Sequence, residues 1–459
     1  MRFFLNTNSH LRGNLGTSTV PLHEKRAGST NDLSGRARKS LLRYSRCVRR
    51  GRWIAGALVA ACWLSAGSTP FVDAVRGAAE PADWARDYVT ARARLEEGRG
   101  PPPVGEEGNA RAARYGAPRV GLLGAPYFIH PPTATLAVLP FAWMSWRVAA
   151  WVWAAASLVA LAWLAFSLLE IWTPGAAPPA SRVALLTLGL VLWPPTLHCL
   201  EKGQWSIWLA ALLASGWSSF EARRPRRAGG LFGVAAALKV TPIVLLGYLL
   251  LRSRRAAAAL LATAGGAALV ALVAIGPTAW DRFFADASRN EAAWAPWLAN
   301  SASLDGVYAR LLTSNPFSRP ILVAPGLARA AFAATGLLFL AAAIGAVYRR
   351  RKASSASQAR VLAAWLTLPL LLNPLGWSHL VLVLLAPLAV LLRDAGPRER
   401  IAATLILAAL SVPRQRLIEW AGAVPVGPAA SVLLGLHAFA AVALFVALLA
   451  VEDAGVSAD

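Results

Sequence analysis

Apolar residues in this chain gather into long unbroken runs, the pattern of helices buried in lipid, with none of the strict alternation of half-buried strands. Runs at 52–72, 148–170, 256–276, 325–348 and 430–451 each reach the roughly 20 residues that cross a bilayer. Runs at 132–146, 182–199, 205–220, 358–372, 379–393 and 400–413 are marginal by length but suit short or broken helices packed inside a bundle. The pattern predicts an all-α integral membrane protein, a polytopic bundle of about 10–13 transmembrane helices over 52–451. The run from Trp53 onward is longer than a secretory signal core and lacks a small-x-small cleavage site, so it is read as an uncleaved first helix.

Composition agrees: 56% of the 459 residues are hydrophobic and 15% are charged. The net charge of +23 raises the prospect of a nucleic-acid partner, but the basic residues sit beside the ends of apolar runs, where they orient a membrane protein. Clusters at Arg223, Arg224, Arg226 and Arg227, at Arg252, Arg254 and Arg255, at 349–352, and at Arg393, Arg398 and Arg400 are therefore assigned to the cytoplasmic side. Residues 1–51, rich in Arg, Ser, Gly and Asn, are expected to form a disordered basic tail on that side, and 452–459 a short C-terminal tail. Charge-balanced stretches near 73–131 and 277–324 become outer loops.

Two crossings pose a parity problem. Residues 228–251 lie between basic clusters yet are too short for two full spans, and Lys239-Val240-Thr241-Pro242 suggests a break into a hairpin. Pro194-Pro195 interrupts the run at 182–199 in the same way.

Three cysteines in the tail and in apolar runs imply no disulfide framework, and the six histidines show no paired metal-binding spacing. No phosphate-binding or dinucleotide glycine pattern and no structural repeat is present, so neither an ATP-driven pump nor a solenoid is supported.

The polar residues that interrupt the apolar runs are the candidates for chemistry. Asp83 and Asp87 in Asp83-Trp84-Ala85-Arg86-Asp87-Tyr88 would share one helix face, and a carboxylate at the membrane surface suits a general base, although solvated loop charges look the same. His130 precedes Pro131-Pro132, which suits a helix start. Gly203-Gln204 opens another run. Lys239 lies where a lone charge is expensive, so it either meets an anion such as phosphate or snorkels to a headgroup. Trp294 and Trp297 are interfacial anchors or sugar-stacking rings; nearby Asn300 and Arg310 offer donors and positive charge to a phosphosugar. His379, ending Asn373-Pro374-Leu375-Gly376-Trp377-Ser378-His379, either caps a helix or bonds a phosphate or carboxylate.

Taken in order, these segments resemble the polyprenyl-phosphate-mannose-dependent mannosyltransferases of glycosyltransferase family 87. Asp83-Trp84, Tyr88, Ala91 and Gly98 are similar to its first-loop pattern, 128–132 to its aromatic Pro-Pro helix start, and Gly203-Gln204 to its Gly-Gln pair. Lys239 with Pro242, the segment from Asn300 to Arg310, and that from Asn373 to His379 follow in the family's order. The chain departs from the family at Ser206, where Asn is usual, in a one-residue-longer spacing from Asn300 to Ser303, and in an extended stretch over 98–126.

The resemblance implies the C-type membrane glycosyltransferase fold. It also implies inverting transfer of a hexosyl, mannosyl by preference, from a polyprenyl-phosphate sugar to a lipid or glycan acceptor. The work would be done on the extracytoplasmic face of the plasma (inner) membrane, with no cofactor, metal or nucleic acid. Its register favours Asp83 as base and leaves Asp87 in reserve. Tyr88, His130, Gln204 and Asn300 would bind substrate, and Lys239, Arg310 and His379 the leaving phosphate. A C-type enzyme for another sugar is the near rival, and a lipid or solute transporter lined by Lys239 the distant one.

Overall fold

The computed structural model describes residues 69–98, 106–117, 130–175, 177–293, 298, 301–393, 395–424 and 427–450. The tail expected over 1–51, most of the first span at 52–72 and the tail at 452–459 lie outside the described residues. Among the described residues every regular element is a helix, apart from one isolated bridge between Ser301 and Trp377.

Among the described residues four short helices come first: α1 (Thr69–Ala79), α2 (Ala82–Glu97), α3 (Glu106–Arg114) and α4 (Pro132–Val138). The bundle then follows as α5 (Trp146–Trp172), α6 (Ala180–Val191), α7 (Pro194–Lys202), α8 (Ser206–Glu221), α9 (Pro225–Leu238), α10 (Leu245–Arg252) and α11 (Arg254–Ile275). Helices α12 (Pro277–Ala293) and α13 (Leu304–Leu312) lead into α14 (Pro325–Arg349), α15 (Ser355–Leu371) and α16 (Leu385–Arg393). The described residues end in α17 (Pro397–Ser411), α18 (Arg414–Ala423), α19 (Pro428–Leu434) and α20 (Leu436–Ala450).

Among the described residues three helices, α5, α11 and α14, are long and apolar enough to cross a membrane, and up to six spans result if each bent pair counts as one. The bent pairs are α6 with α7 (74°), α17 with α18 (82°) and α19 with α20 (62°). The break between α6 and α7 falls at Pro194-Pro195, where the missing amide hydrogens stop one helix and start the next.

The long spans and the marginal ones have different places in the fold. On α11 and α14, large residues such as Val273, Leu337 and Leu338 point outward, as a lipid-facing helix requires. By contrast α8, α15, α16 and the 3-10 turn Ser378–Leu384 are buried on nearly every side. A central helix meets protein all round, so it need be neither long nor uniformly apolar.

The region between two basic clusters is broken at the residue expected. α9 ends at Leu238, Lys239 is extended, and a 3-10 turn at Thr241–Val244 leads into α10. Gly229 and Gly233 let α9 lie directly on α11, since a Cβ at either would fall within 2.0 and 2.7 Å of the carbonyl oxygens of Ala256 and Leu260.

The basic clusters gather at one end of the bundle. Arg393 at the end of α16 pairs with Glu221 at the end of α8 (3.0 Å), lies over the Trp217 ring, and reaches the Ile171 carbonyl at the end of α5. Arg252 donates to Gln358 at the start of α15, and Arg350 to the Leu449 carbonyl near the end of α20.

Candidate active site

At the other ends of these helices lies α2. Pro81 fixes its start, and Trp84 drives it into the protein: the indole is fully buried, stacked on Trp153 (5.2 Å) and packed against Trp146 (5.6 Å) and Phe141. The Tyr88 hydroxyl donates to the Met144 carbonyl (2.7 Å) and Arg94 to the Ala274 carbonyl (2.8 Å), which ties α2 to the start of α5 and the end of α11. Tyr88 thus spends its hydroxyl on backbone, and burial pushes its phenol up. Once α2 is docked, Asp83 and Asp87 stand one turn apart, as the spacing predicts.

The two carboxyl groups have different surroundings. Asp87 is buried, and its Oδ2 accepts from the Trp205 indole (3.1 Å) and faces His130 Nδ1 (3.0 Å). Asp83 is half-buried in the first turn of α2 and takes one hydrogen bond, from Gln204 Nε2 at 2.5 Å.

Gln204 arrives there because of the turn before it. Gly203 ends α7 with φ +68°, its amide bonding the Leu200 carbonyl and the Gln204 amide bonding that of Cys199, a closure that needs a left-handed residue. The turn presses on α2 so closely that a Cβ at Gly203 would stand 2.6 Å from Pro81 Cβ and 2.7 Å from Trp84 Cβ. Trp153 Nε1 donates to the Gly203 carbonyl (3.2 Å) and holds the turn from behind.

Three basic side chains complete the cluster. Lys239, at the break between α9 and α10, lies close enough to Asp83 and Asp87 to interact with both electrostatically. Thr133 donates to the Ala237 carbonyl, so the segment after His130 is fastened beside Lys239. His379 is buried, within electrostatic reach of Lys239 and His130 and 6.0 Å from the His198 ring, and among the described residues neither of its ring nitrogens has a hydrogen-bond partner. A buried imidazole left unbonded is costly unless something else binds it. His198, with Glu201 3.2 Å away, has no family motif to mark it; a helical His-x-x-Glu beside Gly203-Gln204 is its only trace in the sequence.

The second outer segment meets this layer through the backbone. Ser301 bridges Trp377, the Ala302 amide donates to the Gly376 carbonyl, and Ser303 both caps α13 at the Gly306 amide (2.9 Å) and donates to the Pro374 carbonyl (2.7 Å). Arg310 is wholly buried, with Nη1 3.3 Å from the carbonyls of Leu298 and Ser301, and among the described residues no hydrogen bond or ion pair joins it to Asp83 or Lys239. Burial pulls its guanidinium down to about 10, still protonated at neutral pH. Arg414, which the sequence reading passed over, donates to the Ser301 carbonyl (3.0 Å). Asn300, Trp294 and Trp297 lie outside the described residues. No group of three His, Cys, Asp or Glu side chains placed to hold a metal occurs among the described residues.

Comparison with known proteins bears on this arrangement. The profile of glycosyltransferase family 87 matches residues 128–374, more than half of the chain. A polyprenol-phosphate-mannose-dependent alpha-(1-2)-phosphatidylinositol mannoside mannosyltransferase of Mycobacterium tuberculosis is 29% identical over 305 residues, 64% of this chain and 67% of that protein. A protein of the same description from Mycolicibacterium smegmatis is 30% identical over 271 residues, 55% of this chain and 58% of its own length. No solved structure gives a significant match. The matched segment includes His130, Gln204, Lys239 and Arg310 but neither Asp83 nor Asp87, which the fold brings to it from α2.

Proposed function

The chain belongs to glycosyltransferase family 87, and from that premise we propose that this membrane glycosyltransferase moves a mannosyl group from a polyprenyl phosphate to a lipid or glycan acceptor. The enzyme reading displaces the transporter, and both relatives bear mannosyltransferase names that specify a polyprenol-phosphate-mannose donor. The observation that carries the mechanism is the Asp83–Gln204 contact within electrostatic reach of Lys239, which in turn is within reach of the buried His379 imidazole.

Asp83 takes the proton of the acceptor hydroxyl, whose oxygen attacks the anomeric carbon as the bond from that carbon to the phosphate oxygen breaks. The electron pair leaves with polyprenyl phosphate, and in-line displacement inverts the anomeric centre. Gln204 fixes the carboxyl, while Lys239 and His379 meet the charge growing on the phosphate, fixed donors being better than water that must reorganise. Sugar and phosphate come together on the lipid donor, so no nucleotide sugar or cofactor takes part. The positive-inside rule assigns the Arg-rich end to the cytoplasm, and the reaction then runs on the extracytoplasmic face of the plasma membrane.

The Asp87···His130 pair supports a second assignment, in which His130 is the base and Asp87 orients it. Transfer of labelled mannose from polyprenyl-phosphate mannose to membrane lipid, in vesicles, tests both. Asp83→Asn is expected to lower turnover by about 10²–10⁴-fold with the protein still folded. Full turnover in Asp83→Asn, with loss in His130→Gln, would hand the role to His130.

A further inference from the structure

Apart from the Asp83 cluster, the outer end of the bundle holds a cavity of about 510 Å³ that none of the candidate catalytic or substrate-binding side chains lines. Its walls come from the end of α1, the end of α3 and the start of α5. Glu80, Tyr115, Ser145, Trp146, Arg147 and Trp151 supply its chemistry. We propose that this cavity is the acceptor subsite, and that it takes a sugar ring of a glycolipid headgroup. The inference rests on the transferase reading above and adds to it a place and a class of acceptor.

Size, composition and position each support it. The volume falls within the roughly 300–1,000 Å³ of small-molecule sites. Trp151, 51% exposed, offers a ring face to the C–H face of a pyranose. Glu80 accepts from hydroxyls, while Ser145 and Arg147 donate to ring and hydroxyl oxygens; all three are exposed. One Glu and one Arg leave the lining without net charge, which suits a polyhydroxylated ring rather than a phosphate. Tyr115 already donates its hydroxyl to Glu97 (2.7 Å), so it gives the cavity only its ring. Gly116 closes α3 in a left-handed turn with open space where a side chain would stand.

The cavity also adjoins the proposed base. Glu80 and Asp83 are three residues apart, which limits their Cα atoms to a separation of about 11 Å. Trp146, on the cavity wall, packs with its other contacts on Trp84 and Tyr88 of the helix that carries Asp83. On this proposal a ring seated in the cavity presents a hydroxyl, or the next sugar along, toward that carboxyl. Trp143, 77% exposed and not a lining residue, is by contrast placed as a membrane-interface anchor.

The test uses the purified full chain and two readouts. In the first, an octyl α-mannoside bearing a diazirine is photolysed with the protein, and adducts are mapped by peptide mass spectrometry. Labelling is expected at residues 79–80, 115–117 and 145–151, competed by mannobiose, lost in the Glu80→Gln/Trp151→Ala double variant and kept in Trp143→Ala. In the second, Trp151→Ala is expected to raise the acceptor KM about fivefold to tenfold with donor KM unchanged. Competed labelling elsewhere, or cavity labelling that the double variant does not reduce, overturns the subsite. So does wild-type transfer with an acceptor KM indifferent to Trp151→Ala. Cavity labelling without mannose transfer would uphold the subsite while removing the mannosyltransferase reading.

Discussion

Replacing Gly203 by Ala adds one methyl group and should disable the enzyme. Two costs arise at that position. A left-handed conformation costs any residue with a Cβ about 1 kcal/mol more than it costs glycine. The new carbon would also stand 2.6 Å from Pro81 Cβ and 2.7 Å from Trp84 Cβ, where carbon pairs need about 3.5–4.0 Å. Overpacking of this kind costs about 1–3 kcal/mol, so the sum is roughly 2–4 kcal/mol. Relief requires the turn to retreat from α2 by about 1 Å, and Gln204 is carried on that turn. A misplacement of about 1 Å at a reacting centre costs on the order of 10²-fold in rate. Gly98 is the control: it too is left-handed, at φ +61°, but a Cβ there meets nothing within 4 Å. Thermal unfolding and mannosyl transfer should be measured side by side. Gly98→Ala should lose about 1 kcal/mol and keep its turnover. Equal behaviour of the two variants, or wild-type transfer by Gly203→Ala, would refute the close approach of turn and helix on which the site is built.

Two further substitutions separate the roles of the charged groups. Asp87→Leu leaves the Trp205 indole and His130 without their shared acceptor and should lower stability by about 1–3 kcal/mol for each orphaned donor, read as a fall in Tm; an unchanged Tm would mean that the buried pair is not formed. Lys239→Met removes a cation within electrostatic reach of Asp83 and Asp87 and should raise the donor KM by roughly 10–100-fold, the value of a charge-assisted hydrogen bond of about 1.5–3 kcal/mol, with acceptor KM unaltered. A change confined to acceptor KM would move Lys239 out of the donor site.

The helices were legible in the sequence to the extent that lipid or protein surrounds them on all sides. Runs predicted at 148–170, 256–276 and 325–348 are α5, α11 and α14 within a few residues, because a helix facing hydrocarbon must be apolar all round. The marginal runs correspond to helices too, with breaks where Pro194-Pro195 and Lys239 announced them. The i, i+4 relation of Asp83 to Asp87 could be read directly, as could the ordered motifs. What could not be read was the difference between the two carboxyl groups, which depends on Trp205 and His130 arriving from elsewhere in the chain. His198, Arg414 and the cavity under Trp151 left no periodicity to find, since each owes its position to helix ends meeting in space. Arg310 shows the converse: a charge beside a family motif whose side-chain hydrogen bonds, among the described residues, go to backbone carbonyls.

The position of the site follows from the cost of irregular backbone in a membrane. A break in a helix exposes amide and carbonyl groups that lipid cannot satisfy, so it is tolerated only against protein or at a polar cavity. Three of the breaks among the described residues flank the candidate site: the turn at Gly203, the extended residue Lys239, and the loop from Asn373 into the 3-10 turn at Ser378. Each has protein against it. Gly203 is pressed on α2, the carbonyl of Ala237 just before Lys239 is taken by Thr133, and Gly376 and Pro374 are bonded by Ala302 and Ser303. Each break also delivers one polar side chain: Gln204 to Asp83, Lys239 to both carboxyl groups, and His379 to the neighbourhood of Lys239 and His198. Breaks that must avoid lipid are thus brought together, and the groups they carry come with them. On the proposed reading, a lipid-linked substrate at this cluster would meet donors whose backbone is already satisfied, with the His379 nitrogens, unbonded among the described residues, left to bind it.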